Sequence, residues 1–291
     1  MFSEFLQFLI SGVTVGATYA LVALGFSIIY NSSNVINFAQ GEFVMLGGMS
    51  TVFLLSAGFP LPLAILCAIA ITVVIGLLVE KLAIEPAREG SVVTLIIITI
   101  GASIFLRGAT QIAIDKEFHS LPAFSGEEPI MIGGASMLPQ SLWIVGGAFV
   151  MVLLMWFFFD HMKLGKAMLA MSYNRLAARL VGINVRMVLT LSFVQAALLG
   201  AIGGILVAPM SVTYYEVGIM LGLKGFCAAI LGGLGRGWGA VLGGLIVGVA
   251  EAMGAGYISS DYKDAIAFII ILLVLFFMPS GLLGKRSTER V

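Results

Sequence analysis

DHMKLGKAMLAMSYNRLAARLVGINVRM, residues 160–187, lies between two long apolar runs, Ser141 to Phe159 and Val188 to Ala208, neither of which contains a charged residue. The stretch itself carries Lys163, Lys166, Arg175, Arg179 and Arg186, five of the fifteen basic residues in the chain. A span needs about 20 mostly apolar residues, so both flanking runs read as transmembrane helices. Lys and Arg resist translocation, which places the loop between them in the cytosol. The loop also has internal order. Asn174 is a helix N-cap, and Leu176, Leu180 and Val181 recur at i, i+4 and i+5, giving a short helix with one apolar edge. Gly182 stops it. Two uses fit such a helix: docking into a partner, or lying on anionic lipid.

Composition agrees with the flanking spans. Hydrophobic residues make up 60% of the chain, charged residues 10%, and mean hydropathy is +1.11. Soluble domains carry about 25% charged residues, so this chain cannot clothe a globular surface. Continuous rather than alternating apolarity selects helices over a β-barrel. The expected fold is therefore an all-α polytopic membrane protein, one transmembrane domain over residues 1–291 with 8–10 helices, some of them discontinuous. Fifteen acidic residues balance the fifteen basic ones, so there is no nucleic-acid signature. Cys67 and Cys227 fall in separate apolar runs and read as packing residues; no metal or cofactor site is expected. Met1 to Glu4 lacks a basic region, so the first span is expected to be retained.

Nine apolar segments follow in order: Phe5–Tyr30, Phe43–Ser56, Leu63–Val79, Ser91–Leu106, Ser141–Phe159, Val188–Ala208, Val212–Leu231, Ala240–Gly254 and Ala265–Phe277. In the first, Gly12, Gly16 and Ala20 recur at the spacing that lets helix backbones approach closely. NSSNVINFAQGE, residues 31–42, is too polar for lipid contact. It is either an ordinary loop or a non-helical segment lining a water-filled cavity, and the short run after it favours a broken or partly inserted element. The seventh segment is a poor span, carrying Glu216 and Lys224, and GGLGRGWG (232–239) interrupts the chain after it. Trp143 and Trp156 sit near the ends of the fifth as interfacial anchors. With residues 160–187 cytosolic, Lys81, Arg88, Arg236, Lys285, Arg286 and Arg290 join the loop's five on the inside, and only Arg107, Lys116 and Lys263 fall outside. That asymmetry gives an exterior N-terminus and a cytosolic C-terminus.

No catalytic constellation is visible. His119 and His161 are separated by the fifth span and fall on opposite sides. Glu42, Glu80, Glu216 and Glu251 all lie at or near predicted span ends, where they read as hydrated interfacial groups, so ion-coupled transport has little support. A Gly-Lys-Ser/Thr phosphate loop is also missing, and the chain is expected not to hydrolyse nucleotide itself.

Four segments carry a resemblance: GATYALVALGFSIIYNSSNVINFAQGEFVMLGG, NRLAARLVGIN, GLKGFCAAILGGLGRGWGAVLGGLIVGVAEA and SSDYKDAIAFIIILLVLFFMPSGLLG. Together they resemble the LivH-type branched-chain amino acid permeases of bacterial ABC importers, from about Ser11 to Gly284. The resemblance implies a multi-pass inner-membrane subunit with two cytosolic ATP-binding subunits and a binding protein on the outer face. A LivM-like second permease, or a second copy of the chain, would complete it. Residues Asn174, Arg175, Leu176, Arg179, Leu180, Val181 and Gly182 would form the coupling helix, with the apolar three buried against the ATPase and the arginines at the rim. Many such coupling loops begin with an acidic residue, where this chain has Ala170-Met171-Ser172. Related permeases also move urea, short amides and small acids. Tyr19, Asn34, Asn37, Gln40 and Gly41 are the candidates for the translocation pathway, since a zwitterion needs transient amide and backbone partners; the competing reading is that the amides only cap helix ends. A reading from another class, an ion-coupled transporter or channel acting alone, remains alongside.

Overall fold

The computed structural model describes residues 2–87, 90–278 and 280–284, with the side chains at 266, 267 and 271 excepted. Arg88, Pro279 and the basic tail residues Lys285, Arg286 and Arg290 lie outside the described residues.

Helix α1 (Phe2–Ser33) is the axis of the bundle. Some 89% of its most apolar stretch is buried, against 22% for α4, so the other helices are arranged around it. Its closest partner is α10 (Gly237–Tyr257). The spacing of small residues accounts for that: a Cβ at Gly12 would stand 2.6 Å from the Val249 Cα, and one at Gly16 would stand 2.9 Å from the Gly244 carbonyl. Backbone contact of this kind replaces side-chain interdigitation.

All nine apolar segments form helices. Six are long and apolar enough to cross a membrane: α1, α3 (Leu61–Val79, continued by a π-helical turn Glu80–Ile84), α4 (Val92–Ala113), α5 (Pro139–His161), α8 (Val185–Val207) and α10. Three are shorter: α2 (Gln40–Ser56), α9 (Val217–Gly232) and α11 (Lys263–Phe277). Helices α3, α4 and α5 turn most of their apolar side chains outward, for example Phe105, Phe149 and Leu154. The protein is all-α and polytopic, as expected.

Several boundaries differ from the sequence reading. Helix α4 runs on to Ala113 and takes in Arg107, and α9 starts only at Val217. Two further differences concern the polar break and the basic loop. The polar break is narrower, because α1 runs on through Asn31, Ser32 and Ser33. Both serine hydroxyls donate to the Ile29 carbonyl (2.9 and 2.8 Å), which lets polar residues stay helical. The non-helical segment is therefore 34–39, opened by Asn34 at φ 58°. The second difference is α6 (Lys163–Tyr173), a helix in what reads as plain loop. Met168 and Met171 bury its inner face, and Gly165 lets it fold against the Phe158 carbonyl at the end of α5.

Residues 114–138 connect α4 to α5 and close the far end of the bundle from α6. A two-stranded hairpin, β1 (Ile130–Ile132) and β2 (Ala135–Met137), pairs Ile130 with Met137 around Gly133-Gly134. Both glycines have positive φ, which a two-residue hairpin turn of this hand requires. The Ser136 N–H donates to Gln7 Oε1 (2.7 Å), pinning the hairpin to the start of α1. His119 and Thr213 exchange backbone hydrogen bonds, tying this connection to the entry of α9.

Candidate functional site

Two regions stand out, one at the surface and one inside. At the surface, α7 (Arg175–Leu180) follows α6. Asn174 Oδ1 accepts the Ala177 N–H at 2.9 Å, the expected cap. Gly182 at φ 87° ends the helix, and the Ile183 N–H returns to the Ala178 carbonyl, which satisfies the last turn. Ala178 alone faces inward. Leu176, Leu180 and Val181 are 69%, 80% and 77% exposed, so the apolar edge of α7 has no cover among the described residues. Arg179 is exposed beside it and Arg175 half-buried. Beneath α7 lies a polar cavity lined by Glu80, Glu85, Arg175, Arg179 and Arg186. Glu80 accepts the Thr190 hydroxyl (3.1 Å) and Glu85 pairs with Arg186, so the π-helical end of α3 is tied to α8 beneath α7. The π turn carrying Glu80 is a feature found often at functional sites.

Inside, the break of residues 34–39 delivers the first turn of α2 into the middle of the bundle. The Phe38 N–H donates to Thr99 Oγ1 (3.2 Å), and Gln40 Nε2 donates to the Ala196 carbonyl (3.0 Å). Gly25 provides the space for the Gln40 side chain, and Gly41 abuts the Gly218 carbonyl so closely that no side chain fits at either position. Glu42 follows, 1% exposed. Its Oε1 accepts the Ser103 hydroxyl at 2.7 Å and lies 3.3 Å from Arg107 Nε. Ser103 is the twelfth residue of the 22-residue α4, so Glu42 sits about halfway along that helix rather than at an end. Glu42, Ser103 and Arg107 line a cavity of about 140 Å³ whose other walls include Phe26, Phe38, Ile100 and Leu223. Glu42 Oε2 has no hydrogen-bond partner among the described residues.

A second cluster, buried except for the 42% exposed Asp264, joins α1, α9, α10 and α11. Tyr19 Oη donates to Glu251 Oε2 (2.9 Å), while Lys224 Nζ lies 2.8 Å from Glu251 Oε1 and 2.6 Å from Asp264 Oδ1.

The sequence-derived pathway residues therefore separate into three places. Gln40 and Gly41 come together with Asn37 at the start of α2. Asn34 is exposed at the turn below them, and Tyr19 belongs to the Lys224 cluster. Asn37 Oδ1 does cap, accepting the Ala39 N–H (3.1 Å), but its Nδ2 and Gln40 Oε1 have no partner among the described residues. The reading of the acids is corrected. Glu42, Glu80 and Glu251 are buried, not hydrated interfacial groups, and each is matched by a cation or hydroxyl; only Glu216 is exposed. Buried charge is present after all. Glu42, Ser103 and Arg107 were missed as a site. The available signal was a carboxylate and a guanidinium of opposite sign, each solitary beside an apolar run, which an ionisable residue inside a membrane should prompt one to pair.

An all-helical membrane protein with an interrupted element meeting a buried charged cavity halfway through the bundle has the architecture of a solute-translocating subunit. The chain belongs to the family described as branched-chain amino acid transport system / permease component, whose model matches residues 8–275. It is 36% identical to the high-affinity branched-chain amino acid transport system permease protein LivH of Salmonella typhimurium, across 100% of this chain and 99% of that protein. The permease protein BraD of Pseudomonas aeruginosa is also 36% identical, over 99% of this chain and 98% of its own length. Among solved structures, the fold resembles PsaBC from Streptococcus pneumoniae in complex with Fab, with TM-score 0.53, 15% identity, and coverage of 96% and 97% of the two chains.

Proposed function

We propose that this chain is the membrane-spanning permease subunit of an ATP-binding-cassette importer in a bacterial inner membrane. It passes branched-chain or other small hydrophobic amino acids inward by alternating access, and separate cytosolic ATPases supply the energy. Residues 1–291 act as one transmembrane domain, with the N-terminus outside and the C-terminus in the cytosol. A binding protein delivers the solute to the outer face, and a LivM-like permease or a second copy of this chain forms the other half.

The observation that carries this reading is α7. A six-residue helix with its own cap and stop, presenting three exposed aliphatic side chains, is built to be covered. An ATPase groove covers it, with Leu176, Leu180 and Val181 buried and Arg175 and Arg179 at the rim. Motion of α7 passes along the short connection 181–184 into α8, which the Glu85–Arg186 pair and the Glu80–Thr190 bond tie to the end of α3. The broken start of α2 then lines the pathway, with Asn37, Gln40 and Gly41 offering amide and backbone partners.

Reconstitution tests it. Proteoliposomes holding this chain with its companion permease and ATPases, supplied with loaded binding protein and internal ATP, should accumulate leucine against its gradient. This chain alone should not, with or without a proton or sodium gradient. Uphill uptake by the chain alone would replace this reading with that of an ion-coupled transporter.

A further inference from the structure

The cavity at Glu42 has features that docking at α7 does not use. The carboxylate is 1% exposed, one oxygen is unpartnered, and Gly218 leaves open the place where a side chain would meet that oxygen. Its nearest cation is poorly engaged. The Arg107 Nε stands 3.3 Å from Glu42 Oε1 and makes no hydrogen bond among the described residues, whereas a well-formed charge-assisted bond is about 2.7–2.9 Å long. The Glu42 carboxylate is buried and the Arg107 side chain 24% exposed. A carboxylate held this loosely does not recover the solvation it has lost, and the pair can take a further partner on its free atoms.

The chemistry of that partner is constrained from both sides. A lone cation meets the Arg107 guanidinium, and a lone anion meets the Glu42 carboxylate. A neutral solute leaves both groups short of partners. Only a molecule bearing an ammonium and a carboxylate a few ångströms apart satisfies both. The remaining walls are apolar, from Phe26, Phe38, Ile100 and Leu223, and the volume of about 140 Å³ is several times what a single water needs.

Resting on the proposed importer function, we infer that this cavity is a transit site for an α-amino acid. The ammonium lies on Glu42 Oε2, the carboxylate on the Arg107 guanidinium, and an aliphatic side chain lies against Ile100 and Leu223. The permease then reads the zwitterionic head itself, instead of leaving all recognition to the delivering protein.

The test uses the complete importer in proteoliposomes, with a leucine analogue carrying a diazirine in its side chain, delivered by the binding protein and photolysed during turnover. Adducts should map to peptides containing residues 100–107 and 218–223 and should disappear under excess leucine. Glu42→Gln keeps the shape and the Ser103 bond but removes the charge. It should lower both labelling and uptake by roughly tenfold to a hundredfold, the usual weight of a hydrogen bond to a charged group. If that variant fails to assemble, Leu223→Trp narrows the cavity from its apolar wall and should abolish the same adducts. Working transport with adducts only elsewhere, or either variant labelling and transporting as the parent does, overturns the site while leaving the importer reading intact. A complete assembly that accumulates neither leucine nor the analogue overturns both.

Discussion

Replacing Lys224 by Met should destabilise the bundle, and replacing Glu251 by Gln in the same chain should undo most of the damage. Lys224 is 7% exposed and Glu251 10%, and the lysine is within 2.8 Å of Glu251 and 2.6 Å of Asp264. Removing one partner of a buried pair leaves an uncompensated charge and costs about 3–5 kcal/mol. Glu251 keeps the hydrogen bond from Tyr19, so Lys224→Met should fall at the lower end, about 3 kcal/mol. Glu251→Gln alone leaves the lysine with Asp264, so its cost should be smaller, about 1–2 kcal/mol. The double variant buries no unpaired charge in that pair and should lie within about 1 kcal/mol of the parent, since such pairs are often replaced at little cost. Domains somewhat smaller than this chain lose about 2–4 °C of midpoint per kcal/mol, so Lys224→Met should drop by roughly 6–12 °C. Midpoints read from the monodisperse fraction after heating in detergent will order the four proteins. A double variant as unstable as Lys224→Met, or a single variant with no loss, would refute the idea that the cluster is an electrostatic unit.

Three further outcomes are expected. Leu180→Asp should insert and fold normally, because the side chain is 80% exposed, yet lose co-purifying ATPase. Burial of a leucine is worth about 1.5–3 kcal/mol, so affinity should fall at least tenfold, with full association counting against docking at α7. Gly248→Leu should disrupt the α1–α10 seam, where a Cβ would run into the Gly16 backbone; a pulse of protease should cut it faster than the parent, while Gly101→Leu, at an open position, should resist like the parent. The hydrogen bond from His119 holds the Asp115 carboxyl below its ordinary value of 3.8. Its contribution to the 114–138 connection is therefore complete above that pH and lost as pH falls through the lower folded value. Hydrogen exchange at the His119 and Thr213 amides should be insensitive to Asp115 protonation between pH 7 and 5 and should quicken below pH 4 relative to an Asp115→Asn control.

What could be read in the sequence was local. Asn174 and Gly182 mark the ends of α7 because a cap and a left-handed stop depend on a few neighbouring residues. The nine apolar segments are legible for the same reason: each is long enough to declare itself. The limits of the polar break were not, since Ser32 and Ser33 remain helical by bonding back to Ile29, a choice the residue types alone do not force. Helix α6 was hidden because Lys163, Gly165 and Lys166 mask an inner face of Met168 and Met171. The buried acids were hardest. Glu42 belongs with Arg107 and Glu251 with Lys224 only once the helices are packed, and a position near the end of a segment looks interfacial until the fold shows that α2 starts deep in the bundle.

The most direct test of the central claim is the reactivity of α7 itself. Leu180→Cys, in a chain whose Cys67 and Cys227 are replaced by Ser, should react with a membrane-impermeant thiol reagent in inverted vesicles and not in intact cells. Adding the ATPase subunits should then protect it. Labelling from outside intact cells, or labelling in inverted vesicles that the ATPases leave unchanged, would contradict the account.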